Sequence, residues 1–130
     1  MKLEVINTLK GVRAPVGASA LRQWLIEELK RHKRTDKCHI EVAWVGKAKM
    51  AALNKRYRNQ NKPTDVLSFP VELEQIHGGE RVDTPLGSIV LCLPVISEQA
   101  KDAKVPLRTE IEKMVRHSLR HLIGIHHKSR

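Results

Sequence analysis

Stretches with the periodicity of a β-strand alternate along this chain with stretches of helical periodicity, and this alternation restricts its fold most. Apolar side chains occupy every second position from Cys38 to Val45, which is typical of a half-buried strand. Residues 89–93 are apolar without interruption, which favours a central strand buried on both faces. Shorter apolar runs predict two more strands, one around Val5 and one over 66–69.

Helical spacing of apolar residues separates these strands. In the first such segment Leu21, Trp24, Leu25 and Leu29 share one face. The predicted helices cover 18–32, 47–57, 95–103 and 110–123, and a loop containing Gly78, Gly79 and Pro85 precedes the central strand. We therefore expect an α/β (α+β) fold, with a mixed sheet of about four strands packed against about four to five helices. A chain of 130 residues is ordinary for one domain, so residues 1–130 are expected to form a single domain.

The composition excludes several classes of protein. Aromatic residues make up only 3% of the chain, so the core must be aliphatic and a base-stacking platform of several aromatics is disfavoured. No apolar run is long enough for a membrane span, and residues 1–20 lack the apolar region of a secretory signal. We expect a cytoplasmic protein without a membrane partner. Cys38 and Cys92 are then expected to be reduced and buried.

Positive charge is concentrated in one part of the chain. The formal net charge is +10, and residues 30–62 contain eleven basic residues against two acidic ones. Such a field attracts polyanions, so RNA, DNA or a ribosomal surface is the expected partner. A solvated helix end would carry the same charge, and charge alone does not distinguish the two.

Four of the seven histidines lie between positions 117 and 127. His117 and His121 are four residues apart on a predicted helix, so their imidazoles can reach one metal ion from successive turns. Gly124 can end the helix with a positive φ and return the chain so that His127 supplies a third ligand. Three imidazoles leave one coordination position open, as in catalytic zinc sites. The pattern predicts a metal site on the C-terminal helix and the following turn, with one Zn²⁺ per chain.

The neighbours of these histidines restrict the chemistry. Metzincin proteases share the spacing but place a glutamate after the first histidine, where this chain has Ser118. A serine cannot accept a proton from water, so peptide hydrolysis is disfavoured. The helical angles place the histidine stripe beside Met114 and away from Arg116 and Arg120.

Three segments resemble bacterial YbeY-type endoribonucleases, which are zinc-dependent rRNA maturation factors. The family's zinc motif H-G-x-L-H-L-x-G-Y-D-H resembles residues 117–127, and its LN-x-x-YR…PTDVLSFP block resembles residues 54–58 and 62–70. The family's L-G-D-I block resembles residues 87–90. The resemblance extends over nearly the whole chain.

This resemblance implies a single-strand-specific endoribonuclease that acts in 16S rRNA 3′-end processing, ribosome biogenesis and quality control. The implied partners are single-stranded rRNA and the small ribosomal subunit or ribosomal proteins. It implies that His117, His121 and His127 hold zinc and that Arg58 is the functional arginine. Arg56 and Lys62 are expected to contact RNA electrostatically, and Thr64 and Asp65 to shape the turn before a strand. His126 is a candidate proton donor with a near-neutral pKa.

The chain also departs from the family pattern. Ser118, Arg120, Ile125 and His126 replace the motif's glycine, leucine, tyrosine and aspartate. Ser88 replaces an aspartate that would orient a ligand or general base near the metal. These departures leave a second hypothesis open, a non-catalytic rRNA- or ribosome-binding assembly factor with a structural zinc. Attack by water and attack by the RNA 2′-OH are both compatible with the sequence.

Overall fold

A computed structural model describes residues 1–71 and 84–125 of the chain. These residues form four strands and four helices, and the strands make up a single mixed sheet, as expected. The elements are β1 (Lys2–Asn7), α1 (Ala18–Arg31), β2 (Cys38–Val45), α2 (Lys47–Arg58), β3 (Val66–Pro70), β4 (Thr84–Cys92), α3 (Leu93–Ala103) and α4 (Leu107–Leu122). The strand order is β1-β2-β4-β3, in which β3 alone runs antiparallel to its neighbour.

The predicted central strand is confirmed, but its limits were wrong. Strand β4 lies between β2 and β3 and is buried from Ile89 to Cys92. It begins at Thr84, so Pro85 belongs to the strand and not to a loop. At the other end, Leu93 starts α3, with a proline in the first turn of the helix. A proline is tolerated there because the first helical N–H groups have no partner within the helix.

The two faces of the sheet are covered by different helices. Helices α1 and α4 pack on one face against β2 and β4, where Trp44 is fully buried. Helix α2 packs on the opposite face, where its Met50 meets Val45 and Leu67. Tyr57, near the end of α2, is 55% exposed. It contacts Phe69 edge-on, with ring centroids 5.0 Å apart.

Strand β3 forms one edge of the sheet, and Gly87 allows it to approach β4 closely. Gly87 has φ +142° and pairs with Pro70. A Cβ at this position would overlap the carbonyl oxygen of Phe69 and lie 2.9 Å from the Cα of Pro70. Only glycine therefore fits both the backbone conformation and the space.

Both cysteines are buried thiols, as expected. Cys38 begins β2 opposite Thr84, whereas Cys92 ends β4 opposite Val45. The length of a strand therefore separates the two sulfur atoms, which is too far for a disulfide. Burial raises the pKa of the Cys92 thiol. Among the helices described, none has the length and apolar character needed to cross a bilayer.

Candidate functional site

A cavity of about 720 Å³ opens beside the edge strand β3. Arg58, the last residue of α2, lines it from one face of the sheet, and α4 lines it from the other. The segment leading into β3 and β3 itself form the floor between them. The lining residues are Arg58, Thr64, Asp65, Val66, Leu67, Ser68, Pro70, Lys113, Met114, His117, Arg120 and His121. Among residues 1–71 and 84–125, β3 has no neighbouring strand on its outer side, and helices from both faces of the sheet reach the cavity there.

His117 and His121 face each other at the cavity wall. Their Nε2 atoms are 3.1 Å apart, and the ring planes are inclined by 70°. Two imidazole nitrogens bound to the same tetrahedral zinc would be about 3.3 Å apart, given Zn–N distances of about 2.0–2.1 Å. The pair therefore fits two adjacent ligand positions on one metal ion. Both side chains are half-buried, so a ligand can reach them from the cavity.

The predicted turn after the histidines is confirmed at Gly124. This residue has φ +83°, and its N–H donates to the carbonyl oxygen of His121 at 3.1 Å. The N–H of Ile125 donates to the carbonyl oxygen of Arg120 at 2.8 Å, which satisfies a second carbonyl at the helix end. His126 and His127 lie outside the described residues. Within residues 1–71 and 84–125, no group of three potential ligands forms a metal site.

The end of α2 places Arg58 at the cavity and two other basic residues outside its lining. Asn59, with φ 57°, ends the helix in the left-handed conformation. The guanidinium carbon of Arg56 lies 5.3 Å from the ring centroid of exposed Tyr57. The carbonyl of Lys62 accepts a hydrogen bond of 2.9 Å from buried Asn54, which holds the loop against α2. Arg56 and Lys62 are exposed and are not among the cavity-lining residues.

Asp65 shapes the start of β3, in agreement with the sequence-based interpretation. Its Oδ1 accepts a hydrogen bond of 2.7 Å from the N–H of Val66, and Thr64 donates to the same oxygen at 3.3 Å. Its Oδ2 accepts from Gln99 of α3 at 3.2 Å. These bonds fix the carboxylate of Asp65 as part of the cavity floor.

Ser118 ties α4 to the edge strand. Its hydroxyl forms a hydrogen bond with the hydroxyl of Ser68, and Ser118 is fully buried. The replacement of the motif glycine by serine is thus accommodated by a polar contact one residue from His117.

Ser88 lies away from the cavity. It pairs with Glu41 of β2 and Phe69 of β3 and lines a small groove with His39. Ser88 is therefore not among the residues that line the cavity. Successive side chains alternate between the faces of a strand, and Ile89 already points into the core beneath α1 and α4.

Sequence reasoning missed a buried carboxylate next to the cavity, Glu28 of α1. It is fully buried and bonds three cationic or titratable side chains: Oε1 meets Arg116 at 3.2 Å, and Oε2 meets Arg120 and His32, each at 3.0 Å. Burial alone would raise the pKa of Glu28, but the hydrogen bonds from Arg120, His32 and Arg116 outweigh it and lower the pKa. The signal was present, since Glu28 follows Leu21 and Trp24 at helical spacing on the apolar face.

The placement of Arg120 also differs from expectation. Helical angles put it away from the histidine stripe, yet it lines the cavity beside His117 and His121. That expectation was wrong because Arg120 follows His117 by three residues, which is about 60° around the helix, so the two side chains are neighbours on its surface. Arg116, by contrast, is not among the cavity-lining residues, as expected.

The basic segment 30–62 divides into two groups in three dimensions. Residues 30–37 precede the start of β2, and residues 47–62 follow its end. One member of the first group is engaged within the fold, because Arg34 donates to the carbonyl oxygen of Ile123 at the end of α4, at 3.1 Å. The second group includes Arg58, which lines the cavity.

The sequence of this chain is similar to the sequences of known proteins. The family model for "Endoribonuclease YbeY" matches residues 9–130. The chain is 31% identical over 103 residues to endoribonuclease YbeY of Persephonella marina, an alignment that covers 79% of this chain and 65% of that protein. It is 42% identical over 90 residues to endoribonuclease YbeY of Aliarcobacter butzleri, covering 68% of this chain and 60% of that protein.

The solution structure of TM1509 from Thermotoga maritima superimposes with a TM-score of 0.59 and 26% identity, over 97% of this chain and 75% of that one. The chain spans less than two thirds of the length of the two YbeY relatives named above. The family match itself covers nearly all of the chain, including α4 and the segment that leads into β3. The chain therefore belongs to the endoribonuclease YbeY family.

Proposed function

We propose that this protein is a metal-dependent endoribonuclease that cleaves single-stranded RNA, acting on 16S rRNA near its 3′ end in the cytoplasm. The observation that carries the proposal is the meeting of His117 and His121, Nε2 to Nε2 at 3.1 Å, in a cavity that Arg58 also lines. Family membership supports RNA as the substrate. The small ribosomal subunit or its proteins are the proposed partners.

The donor set of the cavity wall suits zinc. Two neutral imidazoles presented from one helical turn are typical zinc ligands, and His127 is proposed as the third. The left-handed Gly124 supports a chain reversal that would bring residue 127 back toward the pair. When bound, such a metal supplies a Lewis acid for a phosphoryl oxygen and a nucleophile from water at neutral pH.

The side chains of the cavity are suited to an anionic substrate. Arg58, Lys113 and Arg120 bring three cations, and the carboxylate of Asp65 is held by the N–H of Val66 and by Gln99. The guanidinium of Arg58 can bond two phosphate oxygens and keeps its charge, so it is proposed to stabilise the charge that develops as the phosphodiester is cleaved. Arg56 and Lys62, exposed on either side of Arg58 in sequence, are proposed to guide the strand electrostatically.

His126 is proposed as the proton donor to the leaving oxygen, because an imidazole changes protonation state near neutral pH. The chemistry of the product ends distinguishes the two nucleophiles. Attack by the 2′-OH expels the 5′-oxygen and leaves a 2′,3′-cyclic phosphate, whereas attack by water leaves a linear phosphate.

The test is cleavage of end-labelled single-stranded rRNA by the purified protein, with a double-stranded RNA of the same sequence as the substrate control. Arg58→Ala should lower kcat/KM by about 10²–10³-fold, the usual loss when one preorganised charge-stabilising donor is removed. Arg13→Ala, which removes an exposed arginine from the loop after β1, should leave the rate unchanged. EDTA should abolish cleavage by the wild type.

Cleavage that survives both EDTA and Arg58→Ala would identify a contaminating nuclease. RNA binding without cleavage by the zinc-loaded wild type would overturn the proposal and favour a non-catalytic assembly factor.

A further inference from the structure

Glu28 is a fully buried carboxylate that bonds neither the histidine pair nor Arg58, so the proposed cleavage chemistry does not explain its burial. A buried charge is retained at a cost unless it is paired, and two well-packed apolar residues at the α1–α4 contact would be at least as stable. The role of this carboxylate therefore follows from the side chains that it bonds. It bonds Arg116 and Arg120, one helical turn apart on α4.

The two arginines differ in their remaining contacts. Arg116 is surrounded by carboxylates, with Glu27 at 2.7 Å, Glu112 at 2.9 Å and Glu28 at 3.2 Å. Its charge is thus more than balanced. Among the described residues, Arg120 meets one carboxylate, the Oε2 of Glu28 at 3.0 Å. That oxygen is shared with His32.

Only the second arginine reaches the cavity. Arg120 lines it together with His117 and His121, and its side chain is 20% exposed. A guanidinium has five N–H donors, and the Nη1 bond to Glu28 leaves others for a ligand. Arg120 is thus anchored at one end and open to the cavity.

We propose that Arg120 is a second phosphate-binding residue of the cavity, and that Glu28 is the positioning residue that holds its guanidinium beside the histidine pair. Arg58 and Arg120 approach from opposite faces of the sheet, so they suit two phosphates, or two oxygens of one phosphate, of a single-stranded RNA that crosses β3. This inference rests on the proposed function, because the anion is the RNA backbone.

The test compares Arg120→Leu with Arg116→Leu in binding of a fluorescent single-stranded RNA, measured in EDTA over a series of salt concentrations. Both variants remove one arginine from Glu28 and leave the other, but only the first removes a cation from the cavity. Arg120→Leu should raise Kd by about tenfold. It should also reduce the slope of log K against log salt by about 0.7, the contribution of one phosphate of a single strand.

Arg116→Leu should leave the slope unchanged, and Arg120→Lys should restore it while recovering only part of the affinity. If Arg116→Leu fails to fold, the Lys variant and the wild type still provide the comparison. Equal slopes for Arg120→Leu and the wild type would overturn the inference. A wild type that binds no RNA would instead overturn the proposed function, so the two failures are distinguishable.

The positioning role of Glu28 needs its own readout. Glu28→Gln should weaken RNA binding about threefold in the wild-type background and should have no effect on binding in the Arg120→Leu background. A merely structural carboxylate would weaken binding equally in both backgrounds, and that result would assign Glu28 to folding alone.

Discussion

At the scale of single residues, the site depends on charges that the fold holds in place. Glu28 is buried between α1 and α4, and its partners Arg116 and Arg120 belong to the helix that carries the histidine pair. Arg116 also bonds Glu27 and Glu112, and these hydrogen bonds outweigh burial and raise its pKa. The network therefore joins the geometry of the cavity wall to the packing of two helices.

Because the pKa of Glu28 is lowered in the folded state, the free energy of unfolding depends on pH in the acid range. Its contribution is complete above 4.5, the pKa of the group in an unfolded chain, and is lost as pH falls through the lower pKa of the folded state. We expect the free energy of unfolding in urea to fall in the wild type as the pH drops below 4.5. Glu28→Gln should flatten this dependence and cost about 2 kcal/mol at pH 7.

Glu27→Gln is the matched control, because Glu27 bonds the same Arg116 from an exposed position. A wild-type acid dependence that Glu28→Gln leaves unaltered would contradict this account.

At the scale of elements, the cavity exists because β3 lies at the edge of the sheet and close to β4. Gly87 permits that approach, and the hydroxyls of Ser68 and Ser118 join β3 to α4. Displacement of β3 would move the cavity floor relative to both Arg58 and the histidines.

Gly87→Ala should therefore destabilise the protein. A methyl group would overlap the carbonyl oxygen of Phe69 at a residue whose φ is +142°. We expect the free energy of unfolding to fall by roughly 3 kcal/mol. Gly46→Ala, at a position where a Cβ meets nothing within 4 Å, should cost less than about 1 kcal/mol. Similar denaturation midpoints for the two variants would show that the close approach of β3 and β4 is not required.

The hydroxyl contact between α4 and β3 contributes less to the free energy of unfolding than the close approach of β3 and β4. Ser118→Ala removes one hydrogen bond and leaves the hydroxyl of Ser68 half-buried, so it should lower the free energy of unfolding by about 1 kcal/mol. Thermal denaturation followed by circular dichroism would measure it. An unchanged midpoint would mean that water replaces the lost partner.

At the scale of the whole molecule, hydrophobic periodicity was enough to predict the sheet and most of its helices. The bounds of β2 were predicted to the residue, because apolar side chains occupy every second position from Cys38 to Trp44. The limit between β4 and α3 was missed because Leu93 continues the apolar run into a helix that also packs on the core. Periodicity alone does not separate two adjoining buried elements.

The site was predictable to the extent that it is local in sequence. His117 and His121 share a helical stripe, and the φ of Gly124 followed from its place after the helix. The Glu28–Arg120 pair joins residues 92 positions apart, and Ser88 is separated from the cavity by the face of β4 on which it lies. Such placements depend on how helices pack on the sheet, which no local pattern encodes.

The most direct test of the metal-dependent nuclease is reconstitution of the metal-free protein with increasing zinc, measuring bound metal and RNA cleavage in the same samples. The account predicts that cleavage rises in proportion to bound zinc and saturates at about one ion per chain, as expected for a single three-histidine site. His121→Ala should lose both zinc and activity, whereas His39→Ala, on β2 outside the cavity, should retain both. One tightly bound zinc with no cleavage at any stoichiometry, or cleavage independent of zinc, would contradict the account.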